Sequence, residues 1–218
     1  MSENRGGEYT LGEEIANGVT HGVGAALSIV GLVILVTLAS IYGDTRRIVC
    51  VSIYGASLVL LFLSSTFYHS IRSPKLKRLF KQIDHSAIYL LIAGSYTPFT
   101  LVSIRGGWGW TLFGLIWGLT IAGVTLKFFY LYRYRVLSVL FYLAMGWLAV
   151  IAIKPLLASV PIGGIKLIVA GGLCYTVGTV FYVWKRLPYG HAIWHLFVLG
   201  GSACHYFSVL LYVLPPAP

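Results

Sequence analysis

The stretch "HAIWH" places two histidines, His191 and His195, four residues apart near the end of the chain. Four residues is about one helical turn, so on a helix both rings point the same way. A third histidine, His69, closes "SSTFYH", four residues after Ser65, and "KQIDHSAIY" brings Asp84 and His85 a short loop later. Imidazole is a common zinc ligand, and three protein ligands plus water is the usual catalytic zinc arrangement. His69, His191 and His195 are the candidate set, two ligands from one rigid helix and the third from another. A nearby carboxylate, Asp84, can hold and deprotonate a zinc-bound water, whose pKa falls to about 7 at such sites. Ser65, one turn before His69 on the same face, could orient that water or stabilise an oxyanion. The competing reading is interfacial decoration, in which a carbonyl, a water or a headgroup satisfies each imidazole.

What separates the two readings is whether the chain brings these residues to one place. Its 218 residues are 58% hydrophobic and 10% charged, with a mean hydropathy of +0.84. A soluble domain carries roughly 25% charged residues, so this chain belongs in a bilayer. Seven apolar stretches approach spanning length, at about 22–42, 48–69, 83–103, 108–126, 136–153, 164–183 and 191–214. They must be helical, because lipid offers backbone groups no partners. Their runs also lack the alternation of a lipid-facing barrel. The expected fold is all-α, a seven-transmembrane helix bundle. Residues 1–21 form an acidic lead-in, with Thr10 as N-cap and Glu13 as its capping-box partner. Residues 22–214 form the membrane domain and 215–218 a short tail. The lead-in has no pattern of a cleaved signal.

Seven spans put the termini on opposite sides. With the N-terminus inside, Arg5, Arg72, Lys75, Lys77, Arg78, Lys81, Lys127, Arg133, Arg135, Lys185 and Arg186 lie inside. Arg46, Arg47, Arg105, Lys154 and Lys166 lie outside, which accounts for all sixteen Lys and Arg. The positive-inside rule therefore favours a cytoplasmic N-terminus and an outside C-terminus in the cell membrane. These orientation charges also account for the net charge of +10 without nucleic acid. On this topology His69 ends span 2, Asp84 begins span 3, and His191 and His195 begin span 7, all at one membrane depth. Neither the span count nor the orientation used the histidines.

His85 must point about 100° from Asp84 on a helix and reads as a supporting or interfacial residue. His205 lies roughly 15 Å beyond His195 and reads as a packed polar residue outside the site. His21 starts span 1 on the correct side and decides little alone. Cys50, Cys174 and Cys204 lie in apolar segments and read as buried thiols, not a disulfide framework. Small residues at 170–172 and 200–203 point to close helix packing rather than a pore. Pro98 could kink span 3 or open space for a lipid tail.

In its "SSTFYH", "DH" and "HAIWH" elements the chain resembles the hemolysin III family, the bacterial branch of the progestin and adipoQ receptor group that includes the adiponectin receptors. The same pattern is shared with alkaline ceramidases and related membrane hydrolases. "EEIANGVTH" is similar to the family's Glu-x-x-Asn element, here Glu14 and Asn17. The resemblance covers essentially the whole chain. It implies that His69, His191 and His195 bind zinc, that Asp84 contacts the metal-bound water, and that Ser65 lines the site. The long N-terminal region of the adiponectin receptors has no counterpart here, which speaks against adiponectin-like signalling.

Two function classes follow. One is a zinc-dependent hydrolase of a lipid amide or ester, with membrane lipid as substrate or ligand. The other is a non-enzymatic receptor-like, membrane-homeostasis or hemolysin-like protein with a structural zinc. A transporter comes last, since no inverted repeat accompanies Pro98. No protein partner is implied, and nothing in the sequence bears on oligomeric state.

Overall fold

A computed structural model describes residues 9–130 and 135–214. The first eight residues of the lead-in, four of the six residues of "YLYRYR" and the 215–218 tail lie outside the described residues. The helices are α1 (Leu11–Tyr42), α2 (Thr45–Ser70), α3 (Pro74–Pro98), α4 (Gly106–Tyr130), α5 (Arg135–Gly146), α6 (Ile153–Ser159), α7 (Ile162–Val183) and α8 (Gly190–Tyr212). A π-helical segment, Phe99–Ile104, continues α3, and a 3-10 segment, Leu148–Ala152, joins α5 to α6. Among the described residues there is no strand, and seven helical stretches are long and apolar enough to cross a membrane.

Local chemistry sets the helix starts. The Thr10 hydroxyl accepts from Glu13 N–H, and the Glu13 carboxylate accepts from Thr10 N–H at 2.8 Å, closing the anticipated capping box. From there α1 runs unbroken to Tyr42, so residues 11–21 extend the first spanning helix. Asp44 caps α2 by accepting from Arg47 N–H at 2.8 Å and pairs with the Arg47 guanidinium. These contacts hold its carboxyl below the usual aspartate range. Pro74 opens α3 at a position where its missing N–H costs nothing.

Helices α1, α2, α3 and α8 surround the main core, which includes Leu35, Val51, Tyr54, Phe62, Leu91 and Val209. A smaller core of Tyr89, Ala93, Ile116 and Met145 joins α3, α4 and α5. Glycines let the helices meet: a Cβ at Gly24 would strike the Phe62 ring, and one at Gly201 would strike Tyr175. The anticipated close packing of α7 on α8 therefore holds. Outward faces stay apolar, as at Val30 and Val33 of α1 and Ile121 and Phe128 of α4. Lipid is the solvent that accommodates such faces.

Spans 3 and 5 depart from simple helices. Pro98 lacks an N–H, and the ladder widens into the π segment immediately after it. Span 5 is interrupted rather than continuous. The Pro155 ring cannot coexist with a helical Ile151 carbonyl, so residues 148–152 tighten into a 3-10 turn between α5 and α6. Tyr96 of α3 repairs the break. Its hydroxyl accepts from Ala149 N–H at 2.8 Å and donates to the carbonyls of Gly146 (2.8 Å) and Met145 (3.1 Å). Irregular backbone at membrane depth requires such internal partners.

Candidate metal centre

His69 sits in the last turn of α2, and His191 and His195 sit in the first turns of α8. Each offers a ring nitrogen, and the three nitrogens lie within 4.8 Å of one another. Ring centroids separate by 5.2 Å for His69–His191, 5.3 Å for His69–His195 and 4.5 Å for His191–His195. The i,i+4 spacing on α8 accounts for the last pair, and α1 fixes the others.

Two residues of α1 set which nitrogens are free to ligate. His69 Nδ1–H donates to Glu14 Oε2 at 2.7 Å, which leaves Nε2 with the lone pair. His195 Nδ1–H donates to the Asn17 carbonyl at 3.2 Å, with Thr20 Oγ1 at 3.3 Å, and again Nε2 is the acceptor. A carboxylate or carbonyl behind a histidine is the arrangement that orients metal-binding imidazoles and raises their basicity. Lys77 Nζ holds the other Glu14 oxygen at 2.6 Å, so the partly buried carboxylate is paired on both sides. Glu13 Oε1 accepts from Tyr189 N–H at 3.1 Å, which ties the start of α8 to the start of α1. Tyr189 itself adopts a left-handed backbone, φ 55°.

Asp84 and Ser65 are both buried beside this cluster. Asp84 lines the same cavity as His191 and His195 but stands outside the set of three ligand nitrogens. Ser65 lies against the Asp84 carboxyl, although its hydroxyl makes no hydrogen bond of good geometry among the described residues. His85 Nδ1 is 3.7 Å from Asp84 Oδ2, and the His85 carbonyl accepts from the Tyr142 hydroxyl.

Two further rings belong to the site: His21, which the sequence placed on the correct side but left undecided, and Tyr9, which it did not single out. His21 stacks on His195 with centroids 3.4 Å apart and meets Phe62 edge-on at 5.0 Å. Both its ring nitrogens are buried without a hydrogen bond to any described residue. Tyr9 stacks on His191 at 5.0 Å and reaches His69 at 5.7 Å, covering the cluster from the start of the chain. Glu14, Asn17 and His21 share one face of α1 by their 3- and 4-residue spacing, and that pattern was the available signal.

The residues present fit a transition-metal ion. Four-coordinate zinc with nitrogens at about 2.0–2.1 Å places them roughly 3.3 Å apart, inside the 4.8 Å limit within which the three lie, so the rings would close inward on the ion. The donors are imidazoles, two of which, His69 and His195, have their far sides already hydrogen-bonded, and borderline metals favour such donors. From the cluster a cavity of about 120 Å³ opens between α3, α5, α7 and α8, walled by Leu91, Ile92, Val139, Leu143, Trp194 and Val198.

A family model described as haemolysin-III related matches residues 9–206. "Hemolysin-3" of Bacillus cereus is 54% identical over 205 residues, covering 94% of each chain. "Hemolysin-3 homolog" of Bacillus subtilis (strain 168) is 52% identical over 204 residues, covering 94% of this chain and 96% of that one. The human "Monocyte to macrophage differentiation factor" is 31% identical over 210 residues, covering 94% and 86%. With a family match across nearly its whole length and seven apolar helices, this chain is a multi-pass integral membrane protein and belongs to the hemolysin III family.

Proposed function

We propose that the chain is a zinc-dependent hydrolase of lipid amide or ester bonds. The observation that carries this reading is the convergence of three imidazole nitrogens beside a buried carboxylate at the mouth of an apolar cavity. His69, His191 and His195 would hold the ion. When bound, zinc supplies Lewis-acid polarisation of a carbonyl and a nucleophile active at neutral pH. Asp84 takes the proton from the attacking water and returns it to the departing amine or alcohol. Ser65, buried beside Asp84, would orient that water or stabilise the oxyanion. The acyl chain lies in the cavity, whose walls exclude water from the reacting bond. The loops at this end of the bundle carry Arg72, Lys75, Arg78, Lys185 and Arg186. That charge supports a cytoplasmic site under the positive-inside rule.

Metal-loaded wild type should release free fatty acid from an N-acyl or O-acyl lipid presented in mixed micelles. Asp84→Asn should retain its metal and lose at least about a hundredfold in turnover, the usual weight of a general acid-base group. Undiminished release by Asp84→Asn would overturn this role. A metal-loaded wild type inert on a panel of amides and esters would favour the second reading, a zinc that staples α2 to α8 without catalysis.

A further inference from the structure

We propose that His205 is a second recognition point in the cavity, which accepts a hydrogen bond from a hydroxyl carried part-way along an acyl chain. The proposal rests on the acyl-lipid reading above.

His205 lies on α8 ten residues beyond His195, a rise of about 15 Å. That is roughly half the thickness of a bilayer's hydrocarbon core. It lines the cavity that begins at the metal cluster and also a second cavity of about 100 Å³. Ser95, Tyr96, Gly146, Trp147 and Gly172 line both as well, so the two spaces meet where spans 3 and 5 are interrupted.

The other polar side chains at this junction are already engaged. Tyr96 repairs the backbone of span 5. Trp147 Nε1–H donates to Thr176 at 3.0 Å, and the Ser95 hydroxyl donates to the Ile92 carbonyl at 2.8 Å. His205 is different. Its Nε2–H donates to the Ile168 carbonyl at 3.2 Å, which makes Nδ1 the acceptor nitrogen.

The ring is held in place on its other sides. Tyr175 meets it edge-on at 5.5 Å and is itself fixed to Ser202 at 2.9 Å. Gly171 makes room for it, since a Cβ there would strike the imidazole. An acceptor nitrogen beside hydrocarbon is costly when nothing donates to it. An aliphatic side chain would fill the same slot at no such cost. A donor on the ligand resolves the difference. The surroundings at this depth are apolar, including Phe99, Ile104, Leu112 and Ile165. A neutral hydroxyl suits them, whereas a charged headgroup would be left without a counter-charge.

The test uses the full chain in detergent with its metal loaded, titrated with stearate and with stearate hydroxylated at mid-chain. Trp147 and Trp194 line the cavity, so tryptophan fluorescence reports binding without turnover. Wild type should bind the hydroxylated acid roughly three- to tenfold more tightly, the worth of one hydrogen bond. His205→Phe should still bind stearate but lose that preference, and His205→Gln should keep part of it. Equal affinity for both acids in wild type, or a preference that survives in His205→Phe, would overturn the proposal. If neither acid bound metal-loaded wild type, the acyl-cavity reading itself would fall, which is a distinguishable failure. Metal content of all three proteins should be equal.

Discussion

The two halves of α8 treat a histidine in different ways. In the first turns, His191 and His195 meet His69 of α2, and the far nitrogens of His69 and His195 are held by Glu14 and Asn17 of α1. Ten residues later, His205 is tied to a backbone carbonyl of α7. Among the described residues no second and third metal-type side chain gathers around it. Both regions are buried in a chain of the same apolar composition. A metal centre therefore needs convergence from separate helices plus hydrogen bonds that aim the rings. His205 has a hydrogen bond that aims its ring but not the convergence.

The sharpest way to break this comparison is to truncate the rings one at a time. His191→Ala and His195→Ala should each lose most bound metal, while His205→Ala should keep it, read by elemental analysis of purified protein. Equal loss in all three would erase the distinction. Next in size is Glu14→Gln, which removes the charge behind His69 without removing its bulk. Metal affinity should fall about 10- to 100-fold, the usual cost of losing an outer partner, in a competition titration with a chelator. The same titration on Lys77→Met tests whether Glu14 needs its second partner, and the expected change is smaller and in the same direction.

The other region should respond in stability, with no change in metal. Tyr96→Phe strips the partner from the Gly146 carbonyl and the Ala149 N–H, and should cost about 1–3 kcal/mol in thermal unfolding. The smallest effect is expected at the far end of the bundle. Asp44→Ala removes the α2 cap and should cost about 1 kcal/mol. Because the folded Asp44 carboxyl titrates below its ordinary value, the cap contributes fully above that ordinary value. Its contribution fades as pH falls through the lowered one. Wild type and Asp44→Ala should therefore converge in stability under strong acid.

Much of this was legible in the residues. The seven spans follow from apolar length, and the Thr10–Glu13 box was written in its spacing. The i,i+4 pair on α8 and the placement of His69 at the same end followed from counting spans. Three things were not legible. The span drawn at 136–153 left Pro155 in the loop beyond it, so neither the helical continuation to Ser159 nor the 3-10 break before Pro155 could be read from apolar length. The pairing of Glu14 with His69 and Lys77 depends on the long reach of α1 past the other helices. The capping box at Thr10 only hints at that reach. His21 and His205 look alike as single histidines in apolar runs. Counting spans put His21 on the side of the cluster and His205 beyond it, but only packing shows His21 stacked on His195 and His205 wedged over Gly171.

The most direct test is the metal content of the purified, chelator-washed protein beside a variant carrying alanine at positions 69, 191 and 195. The zinc assignment calls for about one ion per chain in wild type and none in the variant. No metal in either protein, or equal metal in both, would contradict it.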